Sequence, residues 1–436
     1  MREMKDSGIE WIGRIPKEWS IIPIKYVVAQ NKDGIKIGPF GSALANNTID
    51  DGEYNVYGQA NLVRGDFSSA KNTINSAIFH CLSNYQVISG DICLSMMGTI
   101  GKCQQVPPGI HPGIMDSHLI KIRLLTTYEP RYFRYTYDKD LGGICYQQMQ
   151  YIKTGSIMDG LNTSVVKRLL LVLPTYDKQK SIADYLDYRC SEIDSLSADI
   201  QKQIDILNQY KQSVITEAVT KGLDKNAEMK DSGVEWIGKI PEDWKIDKIK
   251  YHLFRNEVRN PGNQQVLSVY RDYGVIPKDS RDDNHNVTSD DTSKYKYVKP
   301  GYLVINKMKA WQGSMGISKY QGIVSPAYFV YAFRNNSIDK MYLHYLLRNC
   351  YKKEFRRISG GIREGQWDLP AFTFENTLVI LPSLQEQKEI VLFLDSRCSK
   401  IDLSISDKQK QLDKLAEYKK SLIYEYVTGK KEVPAV

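Results

Sequence analysis

A chain of 436 residues, 42% hydrophobic and 25% charged, is too long for one ordinary core and has the balance of a soluble globular protein of two to four units. No apolar run approaches the roughly 18 residues of a membrane span, and the charged start Met1-Arg2-Glu3 lacks a signal-peptide core, so a cytoplasmic protein is expected. The net charge of +8 is unevenly held: 20–172 carries +3 (14 basic, 11 acidic), 245–380 carries +9 (22 against 13), and 177–221 and 385–430 are near neutral, which suits a polyanionic partner for the first two segments.

The chain opens on Met4-Lys5-Asp6-Ser7-Gly8-Ile9-Glu10-Trp11-Ile12-Gly13-Arg14-Ile15-Pro16-Lys17-Glu18-Trp19. Its Gly and Pro positions predict a tight irregular lead-in anchored by the tryptophans. In the globular segment that follows, 91–96 and 119–124 read as strands, the latter alternating cleanly. A short helix is expected near 130–138, then an apolar strand at 169–173 running into Leu173-Pro174.

Residues 177–221 then run for 45 positions without proline or glycine. Apolar side chains fall at Ile182, Leu186, Ile193, Leu196, Ile200, Ile204, Leu207, Tyr210, Val214 and Ala218, mostly three or four apart, which is the period of one helix face. Such a helix is about 65 Å long and needs a partner along its length.

After a linker near 222–228 the lead-in returns, at a shift of 225, as Met229-Lys230-Asp231-Ser232-Gly233-Val234-Glu235-Trp236-Ile237-Gly238-Lys239-Ile240-Pro241-Glu242-Asp243-Trp244. A second globular segment has strands at 302–306 and within 323–331, a helix near 338–357 and an apolar strand at 378–381. The long helix also recurs. Leu173-Pro174, Gln179-Lys180, Leu186-Asp187, Arg189-Cys190-Ser191, Ile193-Asp194, Tyr210-Lys211 and Val219-Thr220 reappear 208 residues later as Leu381-Pro382, Gln387-Lys388, Leu394-Asp395, Arg397-Cys398-Ser399, Ile401-Asp402, Tyr418-Lys419 and Val427-Thr428.

Two copies of one apolar-faced helix most simply bury their faces against each other as a coiled coil, with two separate core helices as the alternative. The packing positions are Ile182, Leu186, Ile193, Ile200, Leu207 and Val214 on the first helix, and Ile390, Leu394, Ile401, Leu415 and Leu422 on the second. The expected class is α+β: two mixed α/β globes with mainly antiparallel strands, two long helices and an internal pseudo-repeat. The segments are 1–172 (lead-in and first globe), 173–222 (first long helix), 223–380 (linker, lead-in and second globe), 381–430 (second long helix) and a tail at 431–436. The globes' interiors share little identity, yet like frames suggest a shared fold.

Catalytic signatures are missing. Gly101-Lys102 has Met96 and Cys103 where a phosphate-binding loop needs glycine and a hydroxyl, so it reads as a turn. The one Pro-Pro, Pro107-Pro108, lies in Val-Pro-Pro-Gly rather than the Asn/Asp-Pro-Pro-aromatic string of amino-methyltransferases, and no proline precedes an aspartate as the common nuclease pattern requires. Six histidines form no i, i+4 pair or Cys/His ligand spacing, and seven cysteines without a C-x-x-C pair fit neither a disulfide framework nor a zinc ribbon. No catalytic residue and no metal site is assigned, and the thiols are expected to be reduced, with Cys190 and Cys398 packing in the helices.

Other features suit DNA. Lys294 and Lys296 alternate with tyrosines ahead of Lys307-Met308-Lys309-Ala310-Trp311-Gln312-Gly313, which mixes cations with an aromatic and an amide. Arg348, Lys352, Lys353, Arg356 and Arg357 fall at helical spacings as a basic stripe able to track a backbone. In the first globe the candidates are thinner: Lys102, His118, Arg131 and Arg134, with amides at Gln147, Gln148 and Gln150. A solvated basic surface is the bland alternative for each.

The order of parts, with Ile-Pro-x-x-Trp closing the lead-in and Leu-Pro-x-x-x-x-Gln-Lys opening the helix, resembles the specificity subunit of type I restriction-modification systems. So do Gly90-Asp91-Ile92, Gly98-Thr99-Ile100-Gly101 and Asn306 to Gly313. The resemblance spans essentially the whole chain, and departs where many relatives have a second proline after Leu173-Pro174 and Leu381-Pro382. It implies two target-recognition domains, each reading one half of a split double-stranded DNA site, held apart by an antiparallel helix pair. It also implies no catalysis on this chain: two methyltransferase subunits and restriction-translocation subunits dock on it, and S-adenosylmethionine, ATP and Mg belong to those partners. A coiled-coil scaffold with protein-binding globes is the competing reading.

Two unlike readers on a rigid spacer recognise unlike half-sites at a fixed separation, near one DNA turn of about 34 Å, and tethering makes the second contact intramolecular. Shortening both helices by one turn should therefore change the spacer of the motif methylated in cells. Unchanged spacing would contradict this.

Overall fold

The computed structural model describes residues 2–30, 34–39, 42–45, 47–153, 161–271, 273–281, 288, 291–361 and 367–434. The chain divides into two compact units, Met1–Gln201 with Lys410–Val436, and Lys202–Gln409. Each unit therefore holds one globe and a part of both long helices, Tyr176–Lys221 and Leu384–Val427.

In the first unit the lead-in is a hairpin, Met4–Asp6 against Arg14–Pro16, turned by Gly8 and Gly13 in the left-handed region. Ile9, Ile12, Ile15 and Trp19 are buried beneath it. The chain continues as the strand Ser20–Pro23, which pairs antiparallel with the apolar closing strand Leu170–Leu173. The two ends of the globe are thus joined where the helix begins. Between them lie two four-stranded sheets. One is antiparallel throughout, in the order Ile35–Ile37, Leu119–Ile122, Ile92–Ser95, Cys103–Gln105. The other contains a parallel pair, Gly113–Met115 beside Tyr54–Tyr57.

The alternation at 119–124 does not mark an open face. Leu119–Ile122 is buried at every position, and Lys121, 1% exposed, donates from Nζ to the Gln86 carbonyl at 2.7 Å. A strand with neighbours on both faces hides its polar residue only by pairing it. Asp91, from the Gly90-Asp91-Ile92 string, is also buried, and it accepts from Arg123 Nε and Nη2 at 2.7 and 2.9 Å. That string is part of the globe's interior.

The second unit repeats the frame. Its lead-in hairpin is Met229–Asp231 against Lys239–Pro241, and Lys245–Lys248 pairs with Leu378–Leu381. The main sheet runs Leu253–Arg255, Tyr328–Phe333, Leu303–Asn306, Met315–Ile317. In both globes the order of the four main strands is first, last, second, third, so the shared fold survives the divergence of its residues. The helix expected near 338–357 is two helices, Lys340–Cys350 and Lys352–Ile358, broken at Tyr351, whose fully buried ring sends its hydroxyl to the Leu378 carbonyl at 2.8 Å.

Each globe is latched to its helix in the same way. Gln179 is buried just after Leu173-Pro174; its Oε1 accepts from the Glu129 amide at 3.0 Å and its Nε2 donates to the Pro174 carbonyl at 2.9 Å. In the second unit Gln387 accepts from the Asp339 amide at 2.7 Å and donates to Pro382 at 3.0 Å. Tyr132 donates to the carbonyls of Val172 and Val427, and Tyr342 to those of Ile380 and Val219. Tyr135 and Tyr345 donate to Asp187 and Asp395, each at 2.6 Å.

Within each unit the long helices run antiparallel. Lys419 meets Asp194 in the first unit and Lys211 meets Asp402 in the second, both with a closest N–O distance of 2.6 Å. Arg397 donates to Tyr210 at 2.6 Å, and a hydrogen bond to Tyr418 foremost holds the Arg189 pKa above its ordinary value. Because Asp194 and Asp402, Lys211 and Lys419, are repeat equivalents, the two contacts are reciprocal. Exposed ion pairs contribute about 0–1 kcal/mol each, so they specify register more than stability.

Ile182, Leu186, Ile193, Ile200, Ile390, Leu394, Ile401 and Leu422 are buried, and Leu207, Val214 and Leu415 are half-buried. Leu196 and Tyr210, read as part of the apolar face, are instead 50% and 42% exposed. A helix pair without a third layer covers only a narrow seam, and residues beside it stay in water. Cys190 and Cys398 are buried thiols in those helices. Among the described residues no helix is long and apolar enough to cross a membrane.

Replacing Gln387 by Leu should strand the Asp339 amide and the Pro382 carbonyl, destabilising the second unit by about 2–4 kcal/mol. Hydrogen exchange checks it: the Asp339 amide should lose protection while the Glu129 amide keeps its own.

Candidate nucleic-acid interface

In the second unit the turn Lys307 to Gly313 leaves the end of the strand Leu303–Asn306. Asn306 caps it by accepting from the Met308 amide at 3.2 Å, Ala310 is buried beneath it, and Gly313 closes it at φ +86°. That positive φ favours glycine, whereas the nearest atom to an added Cβ, Lys352 Cε at 2.9 Å, is the movable end of a side chain. The turn presents Trp311, whose ring centroid lies 5.6 Å from that of Trp367. The Arg356 guanidinium sits 5.8 Å from the first indole and 5.4 Å from the second. A cation against two aromatic faces is a surface on which a base or a sugar-phosphate can lie. Lys307 pairs with Asp368 at 2.9 Å, Lys309 is exposed and Gln312 half-buried.

The basic stripe is not one surface. The break at Tyr351 turns Arg348 and Lys352 into a cavity with Arg271 and His344, while Arg356 lies on the tryptophans. Arg357 is spent within the helix, its Nε and Nη2 each donating to Glu354 at 2.7 Å, and Glu354 is 5% exposed. Lys294 is exposed; Lys296 leans over the Phe329 ring at 5.7 Å and lies 3.4 Å from Glu257. One pair was missed in the sequence: half-buried Arg281 lies 4.4 Å from the ring of Tyr273, which is 58% exposed. Its only linear signal is two tyrosines three apart with an arginine eight residues on.

In the first unit the candidates separate further. Lys102 pairs with Asp140 at 2.5 Å, and exposed His118 lies 3.2 Å from Asp116. Arg131 reaches Glu129, Asp184 and Asp187 at 2.9, 2.8 and 2.8 Å. Partial burial opposes its charge, yet hydrogen bonds to those carboxylates outweigh it and hold the guanidinium above its ordinary pKa. Arg131 therefore fastens globe to helix. Gln148 is buried and grips Leu170 at both ends, donating to its carbonyl at 2.6 Å and accepting from its amide at 2.8 Å. It has no edge left for a base. Arg134 and Gln147 are half-buried. The loop 97–101 is held from outside the candidate set, by Gln59 donating to the Met97 carbonyl and Thr99 Oγ1, each at 2.8 Å.

Among the described residues no group of three or more His, Cys, Asp or Glu is placed to hold a metal ion. The two units share one repeated frame. The model of the type I restriction modification DNA specificity domain matches this chain twice, over residues 23–205 and 242–414. The chain belongs to that family.

Among its relatives is the type I restriction enzyme MjaVIII specificity subunit of Methanocaldococcus jannaschii, 28% identical over 296 residues, a match spanning 63% of this chain and 65% of that protein. The putative type I restriction enzyme MjaX specificity subunit of the same organism is 24% identical over 445 residues, covering 96% and 95% of the two chains. A chain solved in work on complex assembly and conformational transition of the type I system shares the fold, with a TM-score of 0.68 at 14% identity over 95% of this chain and 98% of its own. Specificity subunits of type I systems are non-catalytic. Within this frame Arg357 is committed to Glu354 in its own helix, while Arg356 lies against two indoles. Arg357→Gln should lower the urea midpoint of the second unit by leaving Glu354 buried without its fork. An unchanged midpoint would contradict that role.

Proposed function

We propose that this chain reads a bipartite, asymmetric double-stranded DNA site, one half-site per globe, and docks two adenine methyltransferase subunits and the restriction-translocation subunits of a type I complex. The observation that carries the reading is the double family match, each copy spanning one globe and running into the long helix that follows it. Two copies of a specificity domain make two readers. Their strand order is the same but their side-chain clusters are not: among the described residues the stack of Trp311, Trp367 and Arg356 has no counterpart in the first globe, where exposed His118 and half-buried Lys102 are candidates. Unlike surfaces suit unlike half-sites.

Docking is supported by features that are alike. Ile24-Lys25-Tyr26 and Ile249-Lys250-Tyr251 each place a lysine over a tyrosine, and both tyrosines are 56% exposed. The helices also leave Leu196, Leu392 and Leu403 in water at 50%, 70% and 65% exposure, apolar area that suits a protein partner. Methyl transfer and ATP-driven chemistry, with S-adenosylmethionine, ATP and Mg, belong to those partners.

Purified with its methyltransferase, the chain should bind duplex DNA carrying its motif with an affinity that falls steeply with salt, and Arg356→Gln should weaken it about tenfold. A protein-binding scaffold predicts no salt-sensitive DNA affinity. Tyr26→Ala and Tyr251→Ala should each weaken the capture of one methyltransferase copy by about tenfold, as read by mass photometry of the complex; full capture by the double variant would contradict the docking site.

A further inference from the structure

The repeated elements Ile24-Lys25-Tyr26 and Ile249-Lys250-Tyr251 are alike in themselves and unlike in their surroundings. Beside Tyr251 the second unit exposes Phe254 at 41% and Phe372 at 78%. Hydrogen bonds and ring contacts join these aromatics into one patch. Arg334 lies 5.7 Å from the Phe254 ring, and its Nε donates to the carbonyls of Lys250 and Leu253 at 3.0 and 3.1 Å. Lys250 Nζ donates to Asn376 Oδ1 at 2.8 Å, and Asn376 in turn donates to the Phe372 carbonyl at 2.9 Å. Carbonyls, an amide and rings hold both cations in place without cancelling their charge.

The first unit has the same backbone there and other side chains. The bridge of Val28 to Leu124 matches the pairing of Leu253 with Phe333, so Ala29 stands for Phe254 and Leu125 for Arg334. The Leu161 amide bonded to Met96 matches the Leu369 amide bonded to Lys307, so exposed Ser164 stands for Phe372. Within the second unit the patch also lies away from the candidate DNA turn. That turn leaves the sheet where Asn306 pairs with Tyr328, whereas the patch sits where Leu253 pairs with Phe333. Five residues of strand separate the two ends, about 17 Å.

Aromatic and arginine side chains grouped in the open have the composition of a protein interface. Because the patch is continuous with Tyr251, the partner it fits is the one that Tyr251 serves. We infer that Phe254 and Phe372 extend the docking surface of the second unit, so that this unit holds its methyltransferase copy more tightly than the first. A complex with a single methyltransferase then carries it on the second unit. The inference rests on the docking reading given above. The partner's contacting face is apolar, with carboxylates set to meet Lys250 and Arg334.

Mass photometry of the full chain titrated with its methyltransferase tests it. Two steps of capture are expected, the tighter one weakened about tenfold by Phe254→Ala together with Phe372→Ser, so that the steps merge. Tyr251→Ala should weaken that same step, and Tyr26→Ala the other. Circular dichroism and the urea midpoint verify that each variant is folded; if the double variant is not, Phe372→Ser alone decides. Equal steps in the wild type, or a tighter step that no folded phenylalanine variant weakens, overturn the inference; with both tyrosine variants still acting, the docking reading stands. Two steps that neither tyrosine variant weakens overturn that reading and the inference with it. With the capture steps unchanged, weaker duplex binding by the phenylalanine variants assigns the patch to DNA, and loss of dimers of the chain assigns it to a second copy. Either result overturns the inference.

Discussion

Buried backbone groups must be hydrogen-bonded, and where a closing strand turns into a long helix that requirement falls on a single glutamine. Gln179 and Gln387 each satisfy a carbonyl from the Leu-Pro turn and an amide at the start of a facing helix, which no purely apolar residue can do. The tyrosines Tyr132 and Tyr342 add a second tie to the strand and to the end of the other long helix. Each globe is thereby fixed to the helices by contacts independent of what its outer loops contain. A frame of this kind lets recognition surfaces diverge while their attachment stays the same.

The frame was the legible part of the sequence because its contacts are local or repeat at a constant offset. Proline-free stretches and a helical apolar period located the long helices to within a few residues, Tyr176–Lys221 and Leu384–Val427. Gln179 and Gln387 stood out as repeated letters, although their task needed the fold. Tyr132 and Tyr342 escaped because their offset is 210, between the 225 of the lead-in and the 208 of the helices, and only Tyr135 and Tyr345 repeat beside them. The third repeated element, Ile24-Lys25-Tyr26 with Ile249-Lys250-Tyr251, lies just past the tryptophan where near identity ends.

The recognition surfaces were harder to read, since charge in a sequence carries no record of its partner. Arg131, Gln148 and Arg357 look like their neighbours as letters, yet each is committed to the protein's own carboxylates or backbone. A helical stripe of cations was a fair reading of 348–357 until Tyr351, buried for its ring and its hydroxyl bond, broke the helix and divided the stripe between a cavity and a surface. The groups that do converge come from distant positions: Trp311 meets Trp367 and Arg356. Periodicity cannot bring such residues together; sheet order and loop closure do.

The proposed division of specificity between two unlike readers on one repeated frame has a direct signature in the cell. Mapping every methylated adenine in the genome, in host cells with and without this gene, tests it most directly. Loss of a single split motif, two short unlike half-sites around a fixed unspecified spacer, is the predicted result. An unchanged map in cells that express an active cognate methyltransferase would contradict it.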